Sequence, residues 1–232
     1  MDIGSAFTFI FDDEDWIKKL LIGGVILLFA IPLSVVLVGI ALFLPIAGYM
    51  LQTLQNVRDR QATPLPEWSD FGGLFSKGLM VTVVYIVYLI PIIILACASF
   101  GVAFAMNEAS SDAVDVLAIV NICLSCLQII VGLAIGLFLP GALIFYAEHE
   151  QFGDAFKFGE ILSFIKSNLG DYIIVFLVTW VAQFIAQFGV ILCLVGVFVT
   201  GFWALLVQSN LFGQLARKRM DMGTVDASFS AA

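Results

Sequence analysis

Four apolar runs, Ile17–Leu54, Leu79–Met106, Val114–Ala147 and Tyr172–Leu215, alternate with short stretches that mix acids, bases and aromatic rings. A helix crosses the hydrocarbon core of a bilayer in roughly 20 residues. The first run as one helix would be about 57 Å long at 1.5 Å per residue, and the last is longer. Tilting absorbs so large a mismatch only at a cost. Each of these two runs therefore predicts two helices joined by a turn. Ile31-Pro32-Leu33-Ser34 is the predicted turn in the first run, because proline disfavours the helical conformation of the residue before it. Gln187-Phe188-Gly189 is the predicted turn in the last. The two middle runs predict one helix each. The first helix, Ile17–Ile31, is only about 22 Å long, so the pattern leaves open whether it crosses fully or re-enters.

The bases test this count. Lys18, Lys19, Arg58, Arg60, Lys77, Lys157, Lys166, Arg217, Lys218 and Arg219 all fall on one side of a six-helix arrangement. The sizeable loop on the other side, residues 107–113, carries Glu108 and Asp112 and no base. Short loops rich in Lys and Arg stay cytoplasmic. The expected fold is all-α: a polytopic transmembrane bundle of about six membrane helices, arranged as three hairpins with interfacial amphipathic helices. It belongs in the cell membrane as a multi-pass protein with both termini cytoplasmic. The expected divisions are an acidic, aromatic interfacial segment over residues 1–16, a single transmembrane domain over 17–219 and a flexible tail over 220–232. Within the domain the hairpins are 17–57, 78–147 and 171–215, and the interfacial segments are 65–78 and 152–170.

Composition agrees with a membrane protein: 62% of residues are hydrophobic, against roughly 45–50% in soluble domains. A net charge of −8 argues against a nucleic-acid partner. The N-terminal stretch has the acids Asp12, Asp13, Glu14 and Asp15 where a secretory signal would carry bases, so it is expected to be retained. All four cysteines lie inside apolar runs, which implies no disulfide framework. Cys123-x-x-Cys126 has redox or zinc spacing but lacks a second ligand pair; buried, small apolar side chains are the simpler expectation. His149, the single histidine, sits between Glu148 and Glu150 at a helix end, where a solvated side chain is the default.

Trp16, Trp68, Phe71 and Phe75 are the expected interfacial anchors, since amphipathic rings favour the membrane–water boundary. Leu-Phe-Leu-Pro occurs at residues 42–45 and again at 137–140, and Val197-Phe198-Val199-Thr200-Gly201 stands at a similar point of the last hairpin. This pattern is a candidate threefold repeat. No charge falls within a predicted span away from its ends, which counts against a proton-coupled pump. The polar candidates are Asn121, Ser125 and Gln128 on one helical stripe and Gln183 with Gln187 on another. They could line a polar path; residues of this kind more often bond across helices. Gly132-x-x-x-Gly136 would let helices approach closely, within the chain or between protomers.

Several stretches carry a family resemblance: Trp16-Ile17-Lys18-Lys19-Leu20-Leu21-Ile22-Gly23-Gly24, Gly48-Tyr49, Pro64-Leu65-Pro66-Glu67-Trp68-Ser69-Asp70-Phe71-Gly72-Gly73-Leu74-Phe75 and Lys77-Gly78. They resemble the prokaryotic membrane proteins of the family called domain of unknown function 4013, most closely over residues 7–90. Pro-Leu-Pro-Glu-Trp is the specific part. The resemblance implies a multi-span membrane protein and transfers no catalytic residue.

No nucleophile–base pair, phosphate loop or metal cluster is legible. The expectation is no enzyme, no catalytic, cofactor-binding or metal residues, and no cofactor. The favoured function is a scaffold that binds membrane lipid, another membrane protein or itself. The alternative is a transporter or channel for a small or amphiphilic solute. An intramembrane hydrolase stands a distant third.

Overall fold

The computed structural model describes residues 1–34, 38–191 and 196–230. Every regular element among them is a helix. Helix α1 (Ile3–Thr8) runs into a 3-10 turn (Phe9–Asp12) and is followed by α2 (Trp16–Leu33), α3 (Val38–Arg58), α4 (Phe71–Met106) and α5 (Ser111–His149). A second 3-10 turn (Phe152–Phe156) leads to α6 (Phe158–Ser167) and α7 (Leu169–Gln187). A third (Phe188–Ile191) precedes α8 (Gly196–Ser230). Six of the described helices, α2, α3, α4, α5, α7 and α8, are long and apolar enough to cross a membrane. The chain is a multi-pass membrane protein.

The helix boundaries refine the expected ones. Helix α2 continues through Pro32 to Leu33, two residues beyond Ile31, so it is about 27 Å long. Residues 35–37, beside the expected turn, lie outside the described residues, as do 192–195 beyond the turn at Gln187–Gly189. Helix α8 continues to Ser230 where a loose tail is expected; residues 220–230 contain no proline to stop it.

The chain divides into two compact units. The larger comprises residues 1–82 and 141–232. There α3 and α8 lie innermost: 61% and 56% of their apolar windows are buried, against 28% and 22% for α2 and α7. Tyr49, Phe202, Leu206, Leu211 and Leu215 form the deepest part of this core. Glycines set the helix spacing. A Cβ on Gly23 would strike the Phe202 ring, and one on Gly24 would meet Val199. Between α3 and α4 the approach is reciprocal. A Cβ on Gly48 would fall on the Leu74 carbonyl oxygen, and one on Gly78 on the Leu44 carbonyl oxygen. Pro45 and Pro140 of the two Leu-Phe-Leu-Pro segments lie inside helices, and each comes shortly before a tightly packed glycine, Gly48 or Gly141.

Residues 65–78 do not form a helix of their own. Residues 65–70 are irregular, and Phe71 begins α4. The stretch therefore divides its apolar side chains: Leu65 and Leu74 are buried, while Phe71 and Phe75 are exposed. Over residues 152–170, α6 is amphipathic. It directs Ile161, Phe164 and Ile165 into the protein and leaves Glu160 and Lys166 outside.

The smaller unit, residues 83–140, comprises most of α4 and α5. Asn121 donates to the Ser99 carbonyl at 3.5 Å, and Gln128 to the Ser99 hydroxyl at 3.3 Å. The expected close approach at Gly132 and Gly136 is not made among the described residues. Beside Gly132 only the Ile92 Cδ1 would touch a Cβ, at 3.8 Å, and nothing lies within 4 Å at Gly136.

Candidate functional site

The polar chemistry of the larger unit gathers where the base-rich helix ends meet. Lys19 lies one turn into α2 with only 4% of its surface exposed. A charge removed from water is tolerated when its partners are satisfied. The three donors of its ammonium find three acceptors: Glu67 Oε1 at 2.5 Å, Asp13 Oδ2 at 2.7 Å and the Leu65 carbonyl at 3.3 Å. Asp13 in turn accepts the Asp15 N–H at 2.9 Å. The Trp68 indole N–H donates to the Lys19 carbonyl at 3.0 Å. Its ring stacks on Tyr49, with centroids 4.4 Å apart, and leans on Phe202.

Pro64-Leu65-Pro66-Glu67-Trp68 is thus a strap over the start of α2. Leu65 supplies a buried side chain and a carbonyl, Glu67 a carboxylate and Trp68 an indole. The prolines fix φ and present no N–H, which suits an extended segment. Asn56 holds its near end by donating to the Pro64 carbonyl at 2.8 Å.

A second polar centre surrounds Lys77. Its ammonium reaches Gln52 at 2.6 Å, Glu150 at 2.8 Å and Gln55 at 2.9 Å. Gln55 also donates to Glu150 at 2.9 Å and to the Ala147 carbonyl at 3.1 Å. Arg58 donates to that same carbonyl at 2.5 Å. Burial raises the proton affinity of Glu150, but the bonds from Lys77 and Gln55, with the charges of Lys77 and Arg58, outweigh it. The carboxyl is held below its ordinary range. A cleft of about 400 Å³ beside Arg58 and Glu150 and one of about 300 Å³ beside Glu67 and Lys77 open here, sharing Gln52, Asn56 and Gln61 as lining.

Further contacts fasten the same ends. Arg219 pairs with Glu148 and Lys218 with Asp171. Asp154, 6% exposed, takes Lys157 at 2.8 Å and His149 at 3.0 Å. The Lys157 bond is the main cause holding the Asp154 carboxyl below its usual range, and Asp154 raises Lys157 in return. These groups act chemically as paired ions that lock helix ends together. Among the described residues no three His, Cys, Asp or Glu side chains are grouped to hold a metal ion.

The sequence-selected residues are dispersed. Asn121, Ser125 and Gln128 lie in the smaller unit, where Ser125 bonds back to the Asn121 carbonyl at 2.9 Å. Gln183 and Gln187 lie in the larger unit, the first half-buried and the second exposed. Trp16 meets Phe11 edge to face with centroids 4.9 Å apart. Trp68 packs inward, whereas Phe71 and Phe75 face outward. Cys97, Cys123 and Cys126 are free and exposed. Pattern reading used Lys19 and Lys77 only as topology markers and did not select them, Gln52 or Gln55 as site residues; the signal for Lys19 was its place inside the apolar run, three residues past Trp16.

Residues 31–195 match the family described as Protein of unknown function (DUF4013). The chain belongs to this family. The DUF4013 match takes in the strap and both residues of the Gly48–Gly78 crossing. It begins after Lys19 and continues to residue 195, well past the stretch 7–90 where the resemblance is densest. No curated protein and no solved structure matches the chain.

Proposed function

We propose that this DUF4013 protein is a non-catalytic membrane scaffold that embraces lipid or a partner's membrane helix with its α4–α5 hairpin. One observation carries this reading. No residue of α5 from Ala113 to Leu139 is buried by the chain itself, although the segment includes Ile119, Ile122, Ile129 and Leu133, all more than 60% exposed. A helix apolar all round belongs among lipids or other helices. The polar residues of this hairpin support the same reading, because Asn121 and Gln128 bond to Ser99. The transport alternative would need those amides for a solute path.

The clustered bases at the helix ends support a cytoplasmic placement of that face and both termini. The test is native extraction into nanodiscs with mass spectrometry of co-purifying proteins and lipids, beside a solute-flux assay on reconstituted vesicles. A stoichiometric membrane partner or a selectively retained lipid supports the scaffold. A lone protein with bulk lipid and measurable flux overturns it.

A further inference from the structure

We propose a second site, where the end of α3 meets α8, that binds the oxyanion of a phosphate ester. A cleft of about 300 Å³ there is lined by Ser5, Arg60, Gln61, Asn210, Gln214 and Arg217, among others, and by no carboxylate. Its size lies at the small end of ligand pockets.

The orientation of its amides follows from the backbone. The Asp2 N–H can only donate, and it donates to Gln214 Oε1 at 2.7 Å. The Gln214 nitrogen is thereby assigned, and it donates to the Asp2 carbonyl at 2.9 Å and to Asn210 Oδ1 at 2.8 Å. The oxygen of Asn210 is the acceptor, so its Nδ2 is left as a donor without an acceptor among the described residues. Asn210 is 4% exposed. The residue lines the cleft, where that amide has room to donate to a bound group.

The guanidinium groups supply charge. Lys218 and Arg219, next along α8, pair with Asp171 and Glu148, whereas half-buried Arg217 has no carboxylate partner among the described residues. Arg60 donates through Nη2 to both Asp221 oxygens, at 3.2 and 3.4 Å, and is also part of the cleft lining. Its backbone is fixed in the left-handed region, at φ 59°, with its N–H on the Val57 carbonyl at 3.2 Å. Two guanidinium groups, that of Arg217 free of any carboxylate among the described residues, and an amide donor, with no acid in the lining, match the charge and hydrogen-bonding of phosphate oxygens. Arg60 stands two residues beyond α3, and Arg217 lies on α8 beyond the tightly buried stretch that ends at Ala216. The phosphate comes either from an anionic phospholipid or from a soluble phosphate ester, two sources with the same oxyanion chemistry. The site does not depend on whether α4 and α5 take a partner.

The test uses the full chain in phosphatidylcholine nanodiscs, with and without phosphatidylglycerol, and with inorganic phosphate or glycerol 3-phosphate as soluble probes. Thermal unfolding and native mass spectrometry read binding. Wild type is expected to bind phosphate ester, and Arg217→Gln or Arg60→Gln to weaken it about tenfold or more, the loss of a charge-assisted bond. Asn210→Asp keeps the side-chain shape but turns a negative charge on the phosphate, and abolishes binding. Lys157→Gln, a base outside the cleft, leaves it unchanged. Binding of phosphatidylglycerol alone identifies a headgroup site; equal binding of glycerol 3-phosphate identifies a soluble ester. Failure of every probe to bind wild type, or equal binding by wild type and the folded Arg60→Gln and Asn210→Asp variants, overturns the proposal.

Discussion

Trp68 donates its indole hydrogen to the backbone carbonyl of Lys19 at 3.0 Å, while Glu67, the residue before it, takes the Lys19 ammonium at 2.5 Å. Main chain and side chain of one lysine are thus held by consecutive residues of a loop that lies some fifty positions away. Trp68, expected as an interfacial anchor, and Glu67 together clamp the start of α2.

Lys19→Met therefore destabilises the protein by about 3–5 kcal/mol, since Asp13 stays buried without its counter-charge. Glu67→Gln costs no more than about 1 kcal/mol, because that carboxylate is 59% exposed and screened by water. Thermal unfolding in one nanodisc lipid compares the two. Equal losses would show that Lys19 is not the centre of the clamp.

Gly48→Ala is expected to cost about 1–3 kcal/mol by overpacking, because the new methyl would collide with the Leu74 carbonyl, a backbone atom that has no rotamer to escape by. Gly136→Ala, with nothing within 4 Å, is expected to leave the stability of the isolated chain unchanged. The pair of variants separates the glycine that sets a helix crossing from the one that only resembles such a crossing in sequence.

The contrast shows what the sequence could disclose. Run length and the distribution of bases predicted six membrane-length helices, and six stand in that order among the described residues, because bilayer thickness and backbone bonding leave few alternatives; Pro32 did not mark the turn, since α2 runs through it. Partnership was not legible. Gly132-x-x-x-Gly136 has the familiar spacing but no close helix contact among the described residues, whereas Gly48 and Gly78 share no spacing and meet across two helices. Trp68, Phe71, Leu74 and Phe75 fit one helical face on paper. The helix starts at Phe71, so the face divides and Trp68 turns inward. Lys19 inside an apolar run was readable as a charge near a span end, but its three acceptors come from residues 13, 65 and 67, which only the folded chain brings together.

Gln128→Leu is expected to cost about 0.6 kcal/mol and no more than about 1.7, the range for interhelical bonds in membranes. Its single bond to the Ser99 hydroxyl, at 3.3 Å, is long. Steric-trap unfolding measures the cost, and vesicle flux assays are expected to show no change. Unaltered stability together with altered solute flux would move the amide from helix packing to a conducting path.

Acid is expected to loosen the helix ends through Glu150. Its folded carboxyl lies below the ordinary value of 4.5, so the unfolded chain binds the proton more readily. The stabilisation is fully present above that value and is lost as pH falls through the lower folded value. The unfolding midpoint of wild type should hold steady down to about pH 5 and then decline. Asp154, also held low, shares in the decline at still lower pH. Glu150→Gln removes the titrating group yet keeps an oxygen for Lys77, so its midpoint is lower at neutral pH and falls less steeply on acidification. Side-by-side unfolding curves across that range check the sign: a variant as acid-sensitive as wild type would assign the effect to other carboxylates.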